Sequence, residues 1–452
     1  MARKLFGTDG VRGVANSELS PALAMDIGKA AVQVLSDSYL SRAKILIGKD
    51  TRVSSDMLES ALAAGICSMG ADVVLLGFIP TPAVAYLVKQ LGASLGIVVS
   101  ASHNPVEFNG IKILGPEGFK LADELEEKIE KCIDEQDFGS IKIGAELGSV
   151  SFHLNAVSDY VEHLKECIPG PFAELKVAVD CANGAAFDVA RKTFAELNIN
   201  ATFTAVTPNG SNINDKVGST HIESIAQLTV STESDIGIAY DGDADRCLAV
   251  DENGELIDGD KIIAIFAKYL KAKNRLAKDT AVVTVMSNPG FFEFCKENDI
   301  NVATSAVGDR YVLEEMLIEG YVLGGEQSGH VILFDYAKTG DGVLTSLLLL
   351  KILAESSLKA SELAGEIFIY PQVLKSVAAT ANQKKAFNES EEIKVFIADM
   401  EKELTGSGRI LVRCSGTEPI IRVLVEGRHI DVIEGIAQTI CSRLEEMLSE
   451  VV

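Results

Sequence analysis

Short runs rich in β-branched residues recur along this chain, each followed by a stretch of helical periodicity. The runs include KILI (44–47), DVVLL (72–76), GIVV (96–99), KVAV (176–179) and AVVTV (281–285). Apolar runs of this length suit strands buried on both faces of a largely parallel sheet. The helical stretches have readable ends: Ser20 before Pro21 reads as an N-cap and first helical residue, and Gly70 as a C-terminal stop. The alternation predicts an α/β architecture. At 452 residues the chain exceeds what one core supports, so several domains are expected. The pattern restarts near 150–175, near 255 and after Pro371. An acidic helix around 123–133 closes the first unit, and a hairpin turn at 252–254 lies near the second junction. The last 80 or so residues read as strand, helix, strand–loop–strand and final helix, a smaller α+β domain.

Charge narrows the function. The formal net charge is −24. Nucleic-acid binding needs a basic surface that displaces counterions, so no nucleic-acid partner is expected. An anionic ligand would require basic contacts concentrated locally. The eight Cys residues are scattered with no CxxC pair, which is neither a disulfide framework nor a zinc pattern. The first ten residues, MARKLFGTDG, hold no apolar signal core, and the longest apolar stretch, 343–350, ends at Lys351. The expectation is a cytoplasmic protein with no membrane partner.

Four loops carry chemistry. Asp241-Gly-Asp243-Ala-Asp245-Arg246 follows the strand-like IGIAY, and its three carboxylates, read as alternating along an extended loop, can converge on one hard cation. An EF-hand is a poor match, because its sixth position must be Gly and here is Arg246, and the flanks read as strands. A phosphatase of the haloacid-dehalogenase type also places Asp-x-Asp after a strand, but usually with Thr or Val where Asp245 stands. A solvated acidic turn is the bland alternative.

Ser100-Ala-Ser102-His103-Asn104-Pro105 closes another buried strand, where α/β sheets gather ligands, although Ser, Asn and Pro also make ordinary turns. A Ser–His hydrolase is disfavoured, since no G-x-S-x-G elbow is present and adjacent Ser and His rarely face one another. Gly324-Gly-Glu326-Gln327-Ser328-Gly329-His330 could grip hydroxyls through Glu326 and Ser328, or be a solvated hairpin. Arg413-Cys-Ser415-Gly416-Thr417-Glu-Pro419, with Arg422 beyond, offers guanidiniums and hydroxyls suited to a phosphate dianion. The alternative is a hairpin whose arginines pair with surface acids.

Taken in order from Ser100 to Arg422, these loops resemble the four signature loops of the alpha-D-phosphohexomutase superfamily. Phe6-Gly-Thr-Asp-Gly-Val-Arg12-Gly and Gly48-Lys-Asp-Thr-Arg52 extend the match over nearly the whole chain. The GTDGVRG, GEQSGH and VGDRYV (307–312) segments are most similar to the branch that acts on amino-sugar phosphates. The resemblance implies three similar α/β domains with mixed, largely parallel sheets plus a smaller C-terminal α+β domain, around one central cleft. Residues 1–150 would carry a phosphoserine loop, 151–254 a metal-binding loop, 255–368 a sugar-binding loop and 369–452 a phosphate-binding loop.

It further implies that Ser102 carries a transferable phosphoryl group, loaded by phosphorylation or by a sugar bisphosphate. Mg2+ would be held by Asp241, Asp243, Asp245 and phosphorylated Ser102. Arg12 and Arg246 would balance charge at the transferring group, and Lys112 and His330, with His103 as a further candidate, would serve as acid and base. Glu326 and Ser328 would read sugar hydroxyls; Arg413, Ser415, Gly416, Thr417 and Arg422 would clasp the other phosphate. The implied reaction interconverts glucosamine 6-phosphate and glucosamine 1-phosphate for UDP-N-acetylglucosamine synthesis, with a homodimer as one admissible assembly. Mannose or glucose phosphates as substrates, or a calcium- or phosphosugar-binding protein without turnover, are the rival readings.

Overall fold

A computed structural model describes residues 5–7, 9–35, 42–172, 174–404, 408–415 and 419–449. The chain divides into two compact units, Met1–Met286 with Asp299–Glu366, and Ser287–Asn298 with Ile367–Val452. The first unit holds three sheets. Sheet one contains β1 (Phe6–Gly7), β2 (Gly10–Val14), β3 (Lys44–Lys49), β4 (Asp72–Phe78), β5 (Leu95–Val99), β6 (Phe108–Leu114) and β7 (Val150–Phe152), in the order β1-β2-β6-β5-β3-β4-β7. Sheet two contains β8 (Lys176–Asp180), β9 (Asn200–Thr204), β10 (Ile236–Tyr240), β11 (Cys247–Asp251) and β12 (Leu256–Ile257), in the order β12-β11-β10-β8-β9. Sheet three contains β13 (Thr280–Thr284), β14 (Asn301–Ser305), β15 (Leu323–Gly325) and β16 (Val331–Leu333), in the order β14-β13-β15-β16.

One plan underlies all three sheets. A first strand pairs in parallel with the two that follow it, and the third is joined by an antiparallel return strand. This holds for β3, β4, β5 and β6, for β8, β9, β10 and β11, and for β13, β14, β15 and β16. The loop between the third strand and its return therefore has the same topological place in each sheet. Those three loops contain Ser102, the three Asp residues and Glu326. The strands feeding them are buried throughout, as their uninterrupted apolar runs require.

Helices cover these sheets, and their caps follow the sequence. Ser20 Oγ accepts the Leu23 N–H (3.1 Å) at the start of the helix Pro21–Leu35. Asp341 caps the helix Gly342–Ser356, whose run of leucines is buried. Gly70 takes a left-handed φ of 88° just past the helix Val53–Ser68. Among the described residues no helix is long and apolar enough to cross a membrane.

The second unit holds β17 (Gln372–Ala378), β18 (Gly408–Cys414) and β19 (Ile420–Gly427) as an antiparallel sheet ordered β17-β19-β18, backed by the helix Ile430–Leu448. Two helices, Ala381–Glu389 and Glu391–Lys402, stand where the sequence suggested one. The break falls at Ser390, whose Oγ accepts the Ile393 N–H and starts a second helix.

The helices Pro21–Leu35 and Val53–Ser68 cross through glycines. A Cβ on Gly65 would lie 2.2 Å from the Met25 carbonyl oxygen, and one on Gly28 would lie 2.8 Å from that of Leu62. Gly65→Val should cost about 1–3 kcal/mol through overpacking, read as a lowered urea midpoint. Gly365→Ala, whose Cβ meets nothing within 4 Å, should leave the midpoint within error.

Candidate active site

Ser102 occupies the first of the three loops in a strained backbone, with φ of 53°. Its N–H donates to Ser100 Oγ (2.9 Å). Its carbonyl accepts from Arg52 Nη2 (3.0 Å) and Asn214 Nδ2 (2.8 Å). The buried Arg52 guanidinium also donates to the carbonyls of Asn104 and Pro105, so one planar fork fixes the whole turn. Asp50 in turn accepts from Arg52 Nε (2.9 Å), Ser55 Oγ (2.9 Å) and Ser100 Oγ (2.6 Å). This network aims Ser102 Oγ at the second loop, where it donates to Asp241 Oδ2.

The second loop is a tight turn rather than an extended segment. Ala244 adopts φ of 54° and its N–H donates to the Asp241 carbonyl (3.2 Å). The turn brings carboxylate oxygens of Asp241, Asp243 and Asp245 within 4.8 Å of one another, all buried. Asp243 Oδ2 accepts from Thr81 Oγ1 (2.6 Å) and Lys112 Nζ (2.8 Å), and Asp245 Oδ2 accepts from Lys112 Nζ (3.2 Å). The other oxygens, Asp243 Oδ1 and Asp245 Oδ1, are buried without a hydrogen-bond partner.

Burial, then the charges of Asp245 and Asp243, push the Asp241 carboxyl well above the usual range. Burial also opposes charge on Asp245, but Lys112 and His330 outweigh it and hold that group well below. Orphaned carboxylate oxygens and an acid that resists ionisation are what a divalent cation would resolve, so the residues fit one. The flanking β10 and β11 are strands, which disposes of the EF-hand.

Lys112 lies on β6, opposite Val98, and reaches Asp9 Oδ2 (3.0 Å) as well as the two Asp residues. Burial alone would lower it, but Asp243, Asp245 and Asp9 raise it well above the usual lysine range. It is an ammonium with a proton to give and no lone pair to receive one. Asp9 also pairs with Arg12 and with Lys120 Nζ (2.6 Å), and Lys120 reaches Asp309 Oδ2 (2.6 Å) in the third sheet's domain.

His330 sits between two carboxylates, Nδ1 3.7 Å from Asp245 Oδ1 and Nε2 3.6 Å from Asp309 Oδ2. Burial opposes protonation, while Asp245 and Asp309 raise its pKa. The Gly340 N–H on Nε2 (3.1 Å) needs an acceptor there and favours the neutral ring with its proton on Nδ1.

His103 Nδ1 lies 3.4 Å from Ser102 Oγ, closer than adjacency in sequence suggested. The left-handed turn at Ser102 brings the two together. The guanidinium of Arg12 reaches Asn104 Oδ1 (3.4 Å), and Arg246 Nε stands 4.0 Å from Asp245 Oδ1. Both Arg residues have a buried Nε without a hydrogen-bond partner. Glu326 Oε1 accepts the Gly308 N–H (3.1 Å), and Ser328 is exposed at the tip of the β15–β16 turn.

In the second unit, β18–β19 pairing sets Arg413 directly opposite Arg422. Like charges so placed repel, and an anion between them relieves the cost. The Ser415 carbonyl accepts from Lys384 Nζ (2.7 Å), which adds a third cation. Gly416 and Thr417 lie outside the described residues.

The first unit thus gathers Ser102, His103, Lys112, His330, Arg12, Arg246 and the three Asp residues, with Glu326 joined through Gly308. Arg413, Ser415 and Arg422 form their own cluster. Sequence reasoning assigned nothing to Asn214, Thr81, Lys120 or Asp309. Asp9 and Arg52 were quoted within motifs without a task; their spacing beside Arg12 and Asp50 was the available signal.

All four domain descriptions of the Phosphoglucomutase/phosphomannomutase family match: alpha/beta/alpha domain I over residues 3–140, domain II over 158–254, domain III over 258–369 and the C-terminal domain over 376–442. The chain belongs to this family, whose members are phosphohexose mutases, a class of isomerase. Among its relatives, the phosphoglucosamine mutase of Clostridioides difficile is 50% identical over 448 residues, 99% of this chain and 100% of that one. A phosphoglucomutase/phosphomannomutase family protein of Burkholderia thailandensis has the same fold, with TM-score 0.82 at 24% identity over 98% of this chain and 97% of that one. So does Aspergillus fumigatus N-acetylphosphoglucosamine mutase, solved with GlcNAc-6P and magnesium, with TM-score 0.69 at 16% identity over 98% and 96%.

His103 offers a pH test. Burial, then Arg246 and Arg12, lower its pKa from the ordinary 6.5 to about 4. The unfolded chain therefore takes up this proton first, so the stability it lends is present above pH 6.5 and lost as pH falls toward 4. His103→Gln should lose less stability than wild type between pH 7 and 5 in urea titrations. Parallel curves would show that the ring is not held neutral.

Proposed function

We propose that this chain interconverts glucosamine 6-phosphate and glucosamine 1-phosphate by carrying a phosphoryl group on Ser102. The observation that carries the reading is Ser102 Oγ set against a buried group of three Asp residues. Half-identity over the full length to a phosphoglucosamine mutase supports the choice of substrate. Phosphorylated Ser102 gives its group to O1 of glucosamine 6-phosphate. The Oγ–P bond breaks, the P–O1 bond forms, and the O1 proton passes to a base. The resulting bisphosphate turns over and returns its 6-phosphoryl group to Ser102, leaving glucosamine 1-phosphate for UDP-N-acetylglucosamine synthesis.

Mg2+, held by Asp241, Asp243 and Asp245, would neutralise charge on the phosphoryl oxygens. Arg12 and Arg246 add positive charge around the transferring group. Lys112, the general-acid candidate, is held so firmly as an ammonium that its part is positive charge at the transfer site. His103, whose pKa is lowered to about 4, has a ring nitrogen able to accept a proton, and His330, whose pKa Asp245 and Asp309 raise, is the further acid–base candidate. Glu326 and Ser328 would grip sugar hydroxyls. Arg413, Arg422, Ser415, Gly416 and Thr417 would bind the phosphate that is not transferred. A cytoplasmic location belongs to this reading and agrees with eight free cysteines.

Two measurements test the proposal. Purified protein given magnesium and a trace of sugar bisphosphate should turn over glucosamine 6-phosphate with higher kcat/KM than glucose or mannose 6-phosphate, and a chelator should abolish the activity. A higher value for mannose 6-phosphate would overturn the substrate assignment. Separately, Ser102→Ala loses a hydrogen bond worth about 1–3 kcal/mol and should still fold. Its activity should drop by at least about 10³-fold, and the mass of one phosphoryl group found on the wild-type Ser102 peptide should vanish. Near-normal turnover by the folded variant would refute the phosphoserine route.

A further inference from the structure

A cavity of about 540 Å3, within the range of small-molecule sites, opens beside His330 and is lined by Lys120, Asp309 and Arg310 among others. Its walls come from the segment after β6 and from the helix Asp309–Glu319. Four carboxylates line it: Asp123, Glu124, Asp309 and Glu314. Asp123 pairs with Arg310. Asp309 is the one that approaches the acid–base machinery, 3.6 Å from His330 Nε2. Lys120 Nζ holds its Oδ2 at 2.6 Å, whereas its Oδ1 has no hydrogen-bond partner among the described residues. The preceding residue, Gly308, donates to Glu326, so this turn and the proposed sugar loop are held as one piece.

Glucosamine and glucose phosphates share every phosphate and ring contact and differ at C2, where one bears an ammonium and the other a hydroxyl. A site separates them best by charge, since a carboxylate attracts the ammonium through a full opposite charge that a neutral hydroxyl does not carry. Resting on the mutase reading above, we propose that Asp309, anchored by Lys120, is the specificity-determining carboxylate that meets the 2-ammonium group of the substrate. Glucose phosphate would leave that carboxylate without its second cation and so be bound more weakly. This gives the VGDRYV segment a task that neither the metal nor the phosphoserine requires.

Calorimetric binding decides the matter without relying on turnover. Wild-type protein with magnesium should bind glucosamine 6-phosphate at least 10-fold more tightly than glucose 6-phosphate. Asp309→Asn, which keeps the shape and removes the charge, should bring the two affinities within about 3-fold. A preference that survives in the variant, or is absent from wild type, overturns the assignment. An equal loss of affinity for both sugars also overturns it, and would make Asp309 a positioning residue acting through Lys120. Asp309→Ser, read by the same ratio, serves if the Asn variant does not fold. Turnover measured in parallel on the wild type keeps the two readings apart, because sugar binding with the expected preference but without mutase activity would fail the reaction and leave the assignment standing.

Discussion

The buried ammonium of Lys112 is the charge on which the site depends. It faces Asp243, Asp245 and Asp9, three carboxylates from two domains, with almost no water to share the load. Removing Lys112 would leave buried carboxylates uncompensated, a loss of the kind that costs about 3–5 kcal/mol. From Lys112 the pairing runs through Asp9 to Lys120 and on to Asp309, so three domains are tied by alternating charges. The arrangement offsets the charge of the Asp241–Asp245 turn before any cation arrives, and it sets an ammonium on β6 against that turn.

A second network governs the Ser102 turn. Ser102 sits in a backbone conformation that L-residues avoid, at a cost of about 1–3 kcal/mol. Arg52, Asp50 and Asn214 over-determine the turn with hydrogen bonds to its carbonyls. Because these partners grip backbone and not Oγ, the hydroxyl is left to Asp241, where the proposed phosphoryl group would be carried. Its closest acceptor, Asp241, is also a carboxyl that resists ionisation, so this hydrogen bond and cation binding compete for the same carboxylate.

Much of this was legible in the sequence, for identifiable reasons. Strands buried on both faces announce themselves as apolar runs, so β3, β4, β5, β8 and β13 emerged within a residue or two. The chemical loops stood out because each crowds polar side chains directly after such a run. Hidden were partnerships between residues far apart in the chain: Thr81 with Asp243, Asn214 with Ser102, Lys120 with Asp309. No local pattern encodes these, since each joins elements of different domains. The turn at Asp241–Asp245 was misread as extended because Ala gives no sign of a left-handed φ, and the same blindness at Ser102 hid the approach of His103. The single-helix reading of residues 381–402 failed because one serine can either sit inside a helix or start another.

The shared strand plan of the three sheets has a consequence for how such a protein can change. On the proposed roles, nucleophile, cation ligands and sugar contacts each leave from the same edge of a separate scaffold, although the second and third loops meet where the Cys247 N–H donates to the Gly329 carbonyl (2.9 Å). Substrate choice can then drift by altering one scaffold's loop while the phosphoryl-handling loops stay untouched. A fold built by repeating one module keeps reactivity and recognition as separately inherited traits.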